Sequence, residues 1–172
     1  MATDPETIVA AARAWIGTPY IHQASVQGAG CDCLGLLRGV WRALKGAEPE
    51  AMPPYSEDWA EATGAETLYT VLARHLTEIP RSELAPGDVA LFRMAKRGPA
   101  KHCGIMALKQ RSDSASATAL KQPPGPRDAR PEGKLRDSTS AMTLIHARQN
   151  ACVSEEEFSQ LWRKTLAFAF RM

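Results

Sequence analysis

A chain of 172 residues, 44% hydrophobic and 23% charged, is long enough for one domain with a buried core and has the balance of an ordinary globule. Its net charge of +2 gives little pull toward nucleic acid or a membrane surface, so neither is expected as a partner. No apolar run reaches the ~20 residues of a spanning helix. The acidic start "MATDPETIVAAARAW" lacks the basic region of a secretory signal, so synthesis in a reducing cytoplasm is expected. The four cysteines are then expected as free thiols rather than bridges.

In chain order, "DPETIVAAARAWIGTPY" predicts a first helix, capped at Asp4 or Thr7 and stopped by Gly17 and Pro19. "YIHQASVQGAG" reads as a polar loop. Cys33, Leu36, Leu37, Val40, Trp41 and Leu44 then recur at helical spacing, predicting a one-faced helix ended by Gly46. "AEPEAMPPYSEDW" is a Pro-rich connector, and "GAETLYTVLARHLTEI" predicts a third helix. "APGDVALFRM" predicts a turn and strand, and "KHCGIMALK" a second strand. "AMTLIHARQ" alternates like a strand, "SEEEFSQLW" predicts a short helix, and "TLAFAFRM" a closing strand. Helices first and strands later predict an α+β fold in one domain spanning residues 1–172.

Residues 110–140 form a distinct segment, "QRSDSASATALKQPPGPRDARPEGKLRDSTS", without an aromatic residue and with four prolines. It carries six basic and four acidic residues, so the chain's excess charge lies here. Such a composition predicts a flexible insert between two strands. A contact arm for an anionic partner is the other reading.

"GAGCDCLGLLRGVW" sets the chemical question. A disulfide between Cys31 and Cys33 is disfavoured by their closeness in sequence, since residues so close rarely meet the Cα separation and dihedral the bridge needs. A zinc site would need His102 and Cys103 as further ligands, yet these alternate to opposite faces of a strand. The third reading is one reactive thiol. Asp32 suits a helix N-cap, which places Cys33 at the first helical position, where free N–H groups and the helix dipole favour a thiolate. Cys31 precedes the cap and lacks that support. The plain reading of Cys33 is a small buried hydrophobe. A thiolate needs a base and the base an orienter. His102 and His146 on adjacent strands, facing the Cys33 helix, supply a candidate Cys–His–His set. His75 falls in a helix pattern, and His22 in the loop before Cys31 is a candidate substrate contact.

The series "ARAWIGTPY", "GCDCLGL", "PGDVALF", "HCGIM" and "IHA" resembles the NlpC-type cell-wall cysteine peptidases over most of residues 8–172, the insert apart. The form "GTPYIHQASVQGAGCDCLGLLRGVW" is most similar to the peptidases of phage tails and gene transfer agents. The resemblance implies a papain-like fold, with N-terminal helices on an antiparallel sheet of about five strands. It implies hydrolysis of stem-peptide bonds in peptidoglycan without a cofactor or metal, by a protein carried in a phage-like tail and partnered by tail hub or tip proteins. Carried over by motif, Cys33 is the nucleophile, His102 the base and His146 its orienter, with Tyr20 and Asp32 on the substrate and oxyanion side. Leu34 stands where the common motif has serine, and the insert is a second departure. Two other outcomes stay open: a tail adaptor with a vestigial thiol site, and acyl transfer in place of hydrolysis. Arg93, Lys96, Arg97 and Lys101 precede His102 and are either carboxylate contacts or a solvated turn.

Overall fold

The computed structural model describes residues 3–52, 55, 64–110 and 141–172. The 110–140 insert lies outside the described residues except for Gln110, as does much of the Pro-rich connector.

Helix α1 runs Pro5–Arg13. Asp4 is its cap, accepting the Thr7 N–H at 3.0 Å, and Pro5 sits at the first position, where no N–H is needed. The chain then turns at Gly17, whose φ of +88° suits glycine. Pro19 bridges Cys152 and Tyr20 bridges Cys31, so this segment is held from both sides. Strands β1 (Ser25–Val26) and β2 (Gly30–Cys31) form a small antiparallel pair. Helix α2 runs Cys33–Lys45, capped by Asp32 and stopped at Gly46 with φ +84°. The Trp15 ring lies directly on Gly39 of α2. A Cβ there would stand 1.9 Å from Trp15 Cζ2, so only glycine permits the approach.

Helix α3 is Thr67–His75. It is shorter than its periodicity predicts. Leu76 is already extended, and Thr77–Ile79 form strand β3, paired antiparallel with the last strand. β-branched Thr77 and Ile79 fit that open sheet edge better than another helical turn. After a 3₁₀ turn at Arg81–Glu83 come β4 (Val89–Phe92), β5 (His102–Leu108), β6 (Met142–Ala147) and β7 (Val153–Glu157). Helix α4 (Gln160–Thr165) and β8 (Leu166–Arg171) complete the chain. The six-stranded sheet has the order β3-β8-β4-β5-β6-β7, with every neighbouring pair antiparallel. The α+β class is as expected, and the sheet has six strands rather than about five.

The "SEEEFSQLW" reading needs correction. Its glutamates lie on strand β7, and the helix begins only at Gln160. Glutamate favours helix when nothing else decides, but β7 finds a partner edge in β6. Its side chains also find partners: Glu155 takes both Arg13 Nε at 2.8 Å and Arg13 Nη2 at 2.7 Å, and accepts the Thr143 hydroxyl at 2.6 Å.

Strand alternation divides the core. Val89, Leu91, Cys103, Ile105, Ile145 and Phe170 pack under α1, α2 and α3 with Ile8, Trp15, Leu36, Val40 and Leu68. Ala90, Phe92, Met106, Met142 and Leu144 form a smaller cluster on the other face with Phe158, Leu166 and Trp162. Burying both faces explains why β4 reads as a continuous apolar run, and β6 is likewise buried along its whole length although its sequence alternates.

Candidate active site

Cys33 owes its position to Asp32. The buried Asp32 carboxylate accepts the Gly35 N–H at 2.7 Å through Oδ1, which fixes the start of α2 and makes Cys33 its first residue. Oδ2 accepts the Gln23 N–H at 2.7 Å and the Tyr55 hydroxyl, tying the preceding loop to the same point. The half-buried Cys33 sulfur lies 3.8 Å from the Lys101 carbonyl, at the start of β5. Its pKa is held well below that of an ordinary thiol. The largest cause is a hydrogen bond from the Cys103 thiol; burial opposes it, and His102 adds a hydrogen bond and its charge. Cys31 differs in every respect. It is fully buried in the larger core, and burial pushes its thiol up to about 12.

The two histidines meet. His102 Nε2 is 2.8 Å from His146 Nδ1, on the adjacent strands β5 and β6. His102 opens its strand, and its Nδ1 is the nitrogen left for the Cys33 sulfur. Strand alternation places both rings on the side of the smaller cluster, against Phe92 and Trp162, while Cys103 faces α2. They do not face the α2 helix across the sheet, as the sequence suggests. Contact with Cys33 is made at the end of β5, where groups from both faces converge.

Two residues that the sequence reading missed complete the chain. Glu156 on β7 places Oε1 3.1 Å from His146 Nε2 and accepts the Trp162 indole N–H at 2.7 Å. The Trp162 ring stacks on His102, with centroids 5.6 Å apart and planes inclined by 25°, and meets His146 edge-on at 5.0 Å. Reading "SEEEFSQLW" as a helix hid both. His146 is buried, and burial followed by the nearby His102 lowers its pKa to about 4. It is therefore neutral at pH 7. Its Nε2 carries the proton donated to Glu156, and its Nδ1 lone pair accepts from His102 Nε2–H.

The remaining expected residues line one open cavity of about 800 Å³ together with Cys33, His102 and His146. Tyr20, Asp32, His22 and Lys101 are among them, and Arg148 and Trp162 line the same cavity. The Asp32 oxygens are engaged by internal donors, so its visible work is structural. His22 Nε2 lies 2.8 Å from the Tyr55 carbonyl. His75 stands apart, paired with Glu50 at 3.0 Å. Of the four basic residues before His102, Lys101 lines the cavity and Arg93 pairs with Glu66 at 2.6 Å. All four cysteines are free thiols. Among the described residues, no group of three or more His, Cys, Asp or Glu is arranged to hold a metal ion.

Comparison with solved structures places this geometry. The NlpC/p60 domain of the peptidoglycan hydrolase SagA superposes with a TM-score of 0.57 at 20% identity, over 99% of this chain and 100% of that one. An NlpC/p60 family protein from Bacillus cereus superposes at 0.56 with 16% identity, over 99% of this chain and 41% of its own. The fold is that of the NlpC/p60 domains. NlpC2 from Trichomonas vaginalis superposes at 0.54 with 17% identity, over 99% of this chain and 47% of its own. The chain thus spans the whole of the SagA domain but less than half of the Bacillus and Trichomonas proteins. No family model matches the sequence, and no curated protein matches it. The NlpC/p60 fold accounts for the layout of helices before strands. What this chain's own site does rests on its residues.

Proposed function

We propose that the protein is a cysteine endopeptidase that hydrolyses peptide bonds in peptidoglycan stem peptides. The observation that carries the reading is the unbroken series Cys33, His102, His146 and Glu156 opening on a large cavity. A low-pKa thiolate, an imidazole beside it and a neutral ring fixing that imidazole are the parts that acyl transfer to sulfur requires. The substrate class follows that of SagA, a peptidoglycan hydrolase with whose NlpC/p60 domain this chain shares its fold.

The steps follow from the geometry. The Cys33 thiol proton resides on His102 Nδ1, giving an ion pair at the mouth of α2. The thiolate adds to the peptide carbonyl. Gly35 and Leu36 N–H groups are already taken by Asp32, which leaves the Cys33 and Leu34 N–H groups of the first turn as the backbone donors for the oxyanion. Tyr20, on the cavity wall, is the side-chain candidate beside it. His102 protonates the leaving amine, and the acyl–Cys33 thioester forms. His102, now neutral at Nδ1, takes a proton from water, which attacks the thioester and frees the acid. His146 accepts from His102 Nε2–H throughout, holding the ring in plane.

The "GTPYIHQASVQGAGCDCLGLLRGVW" resemblance supports a finer proposal: that this peptidase is made in the cytoplasm and carried in a phage-like tail, beside hub or tip proteins, to open the wall. Digestion of purified sacculi by the isolated protein tests the enzymatic reading. Release of stem-peptide fragments is expected. Intact sacculi with a folded protein would favour the adaptor reading.

A further inference from the structure

We propose that Cys33 and Cys103 form a redox-modification site, in which a peroxide oxidises Cys33 and Cys103 closes a reversible disulfide onto it. The peptidase mechanism uses one thiol, yet the site holds two. Cys103 is fully buried on β5, next in sequence to His102, and its thiol donates to the Cys33 carbonyl at 3.4 Å. Each thiol also shifts the other's pKa, so the two side chains are close enough to interact. As a core filler Cys103 needs only its volume, and alanine or valine would serve. A sulfur aimed at the nucleophile gives the position a second use.

The division of exposure suits this chemistry. Cys33 is half-buried and lines the open cavity, whereas Cys103 lies behind it. A small peroxide therefore meets Cys33 first. The Cys33 thiolate attacks one peroxide oxygen, the O–O bond breaks, and Cys33 becomes a sulfenic acid. The other oxygen leaves and takes a proton to become water or an alcohol. The Cys103 sulfur then attacks the Cys33 sulfur. The S–S bond forms, the S–O bond breaks, and hydroxide leaves with the Cys103 proton as water. Two thiols lose two electrons, and the peroxide O–O bond gains them.

The reduced site gates the second step. The Cys103 thiol is held well above an ordinary thiol, first by its hydrogen bond to the Cys33 thiolate and then by burial. Oxidation converts that thiolate to a neutral sulfenic acid and removes the leading cause. Cys103 is thus restrained most while Cys33 is a thiolate, and oxidation of Cys33 leaves only burial and Asp32 to hold it up. Cys33 is the first residue of α2, so adjustment at this position does not break the helix interior. The bridge withdraws the sulfur from the cavity and also protects it from further oxidation to the irreversible acids. A dithiol reductant restores both thiols.

The test reads the protein itself and needs no substrate, so its outcome is independent of the peptidase reading. The full-length chain is treated with a small excess of hydrogen peroxide, alkylated, and digested with trypsin without reduction. The expected product joins residues 14–38 to residues 102–109, with fragment ions placing the bond at Cys33 rather than Cys31, and it disappears with dithiothreitol. In Cys103→Ala, dimedone should trap Cys33 sulfenic acid, which in its absence proceeds to the sulfinic acid. Cys33 sulfinic acid in the unaltered chain with Cys103 fully alkylatable would overturn the proposal. So would a bridge from Cys33 to Cys31 or Cys152.

Discussion

At His146 two ring nitrogens face two different partners, and this settles where each proton sits. Glu156 accepts from Nε2, so Nδ1 is a bare lone pair toward His102. That arrangement lets His102 carry a second proton on Nδ1 without losing its bond to His146, which is what a base shuttling between thiol and leaving amine needs. The two histidines therefore differ in the cost of their loss. His102→Ala should lower kcat/KM on a defined muropeptide by roughly 10²–10⁴-fold, and His146→Ala by less. The reverse order would exchange their roles. Glu156→Gln keeps the shape and removes the charge that holds the His146 tautomer. Glu156 is only partly buried, so a fall in kcat/KM of about tenfold is expected, with KM little changed. Iodoacetamide at mildly acidic pH should alkylate Cys33 well before Cys31, as read by peptide mass spectrometry, because only Cys33 has its thiol pKa lowered.

Strands β5 and β6 carry the two histidines, and their spacing is set by a glycine. A Cβ on Gly104 would stand 2.6 Å from Leu144 Cδ1, 2.8 Å from the Ile145 carbonyl oxygen and 3.0 Å from His146 Cβ. A backbone oxygen does not yield as a side chain does. Gly104→Ala should therefore cost about 1–3 kcal/mol in denaturant unfolding and also depress kcat/KM, since it wedges His146 away from His102. Equal stability with unchanged turnover would show that the pair tolerates a wider gap. The legibility of the elements follows the same physics. Helix α2 was readable from Cys33 to Gly46 because cap, apolar spacing and terminal glycine agree. Strands β4, β5 and β8 were readable from apolar runs of strand length, and β6 from its alternation. β3 and β7 were not: both are short edge strands whose identity depends on a partner distant in sequence. Glu156 and Trp162 were lost with β7. Cys103 gives no such signal in the sequence, because alternation puts it on the opposite face from His102. The alternation holds, but at a strand end both faces reach the same sulfur.

For the whole molecule, the buried neutral histidine ties folding to pH. The His146 pKa falls from 6.5 to about 4 on folding, so below pH 6.5 the unfolded chain binds a proton that the native chain refuses. Its contribution is complete above 6.5 and is lost as pH falls toward 4. About 2 kcal/mol should go between pH 7 and pH 5 in urea unfolding, and His146→Asn should flatten that slope. The carboxylates held below their usual range, Glu48 and Glu155, act below 4.5, whereas the lowered Cys33 thiol also withholds a proton in that window, so the His146 share is the difference in slope between the unaltered chain and His146→Asn. The account as a whole stands on Cys33 as the nucleophile of a hydrolase. The most direct measurement is mass spectrometry of a defined muropeptide incubated with the protein and with Cys33→Ala. Cleavage of one stem-peptide bond, with one water gained across the two products, is predicted for the unaltered chain and none for the variant. Equal cleavage by Cys33→Ala, or no cleavage by the folded unaltered chain, would contradict it.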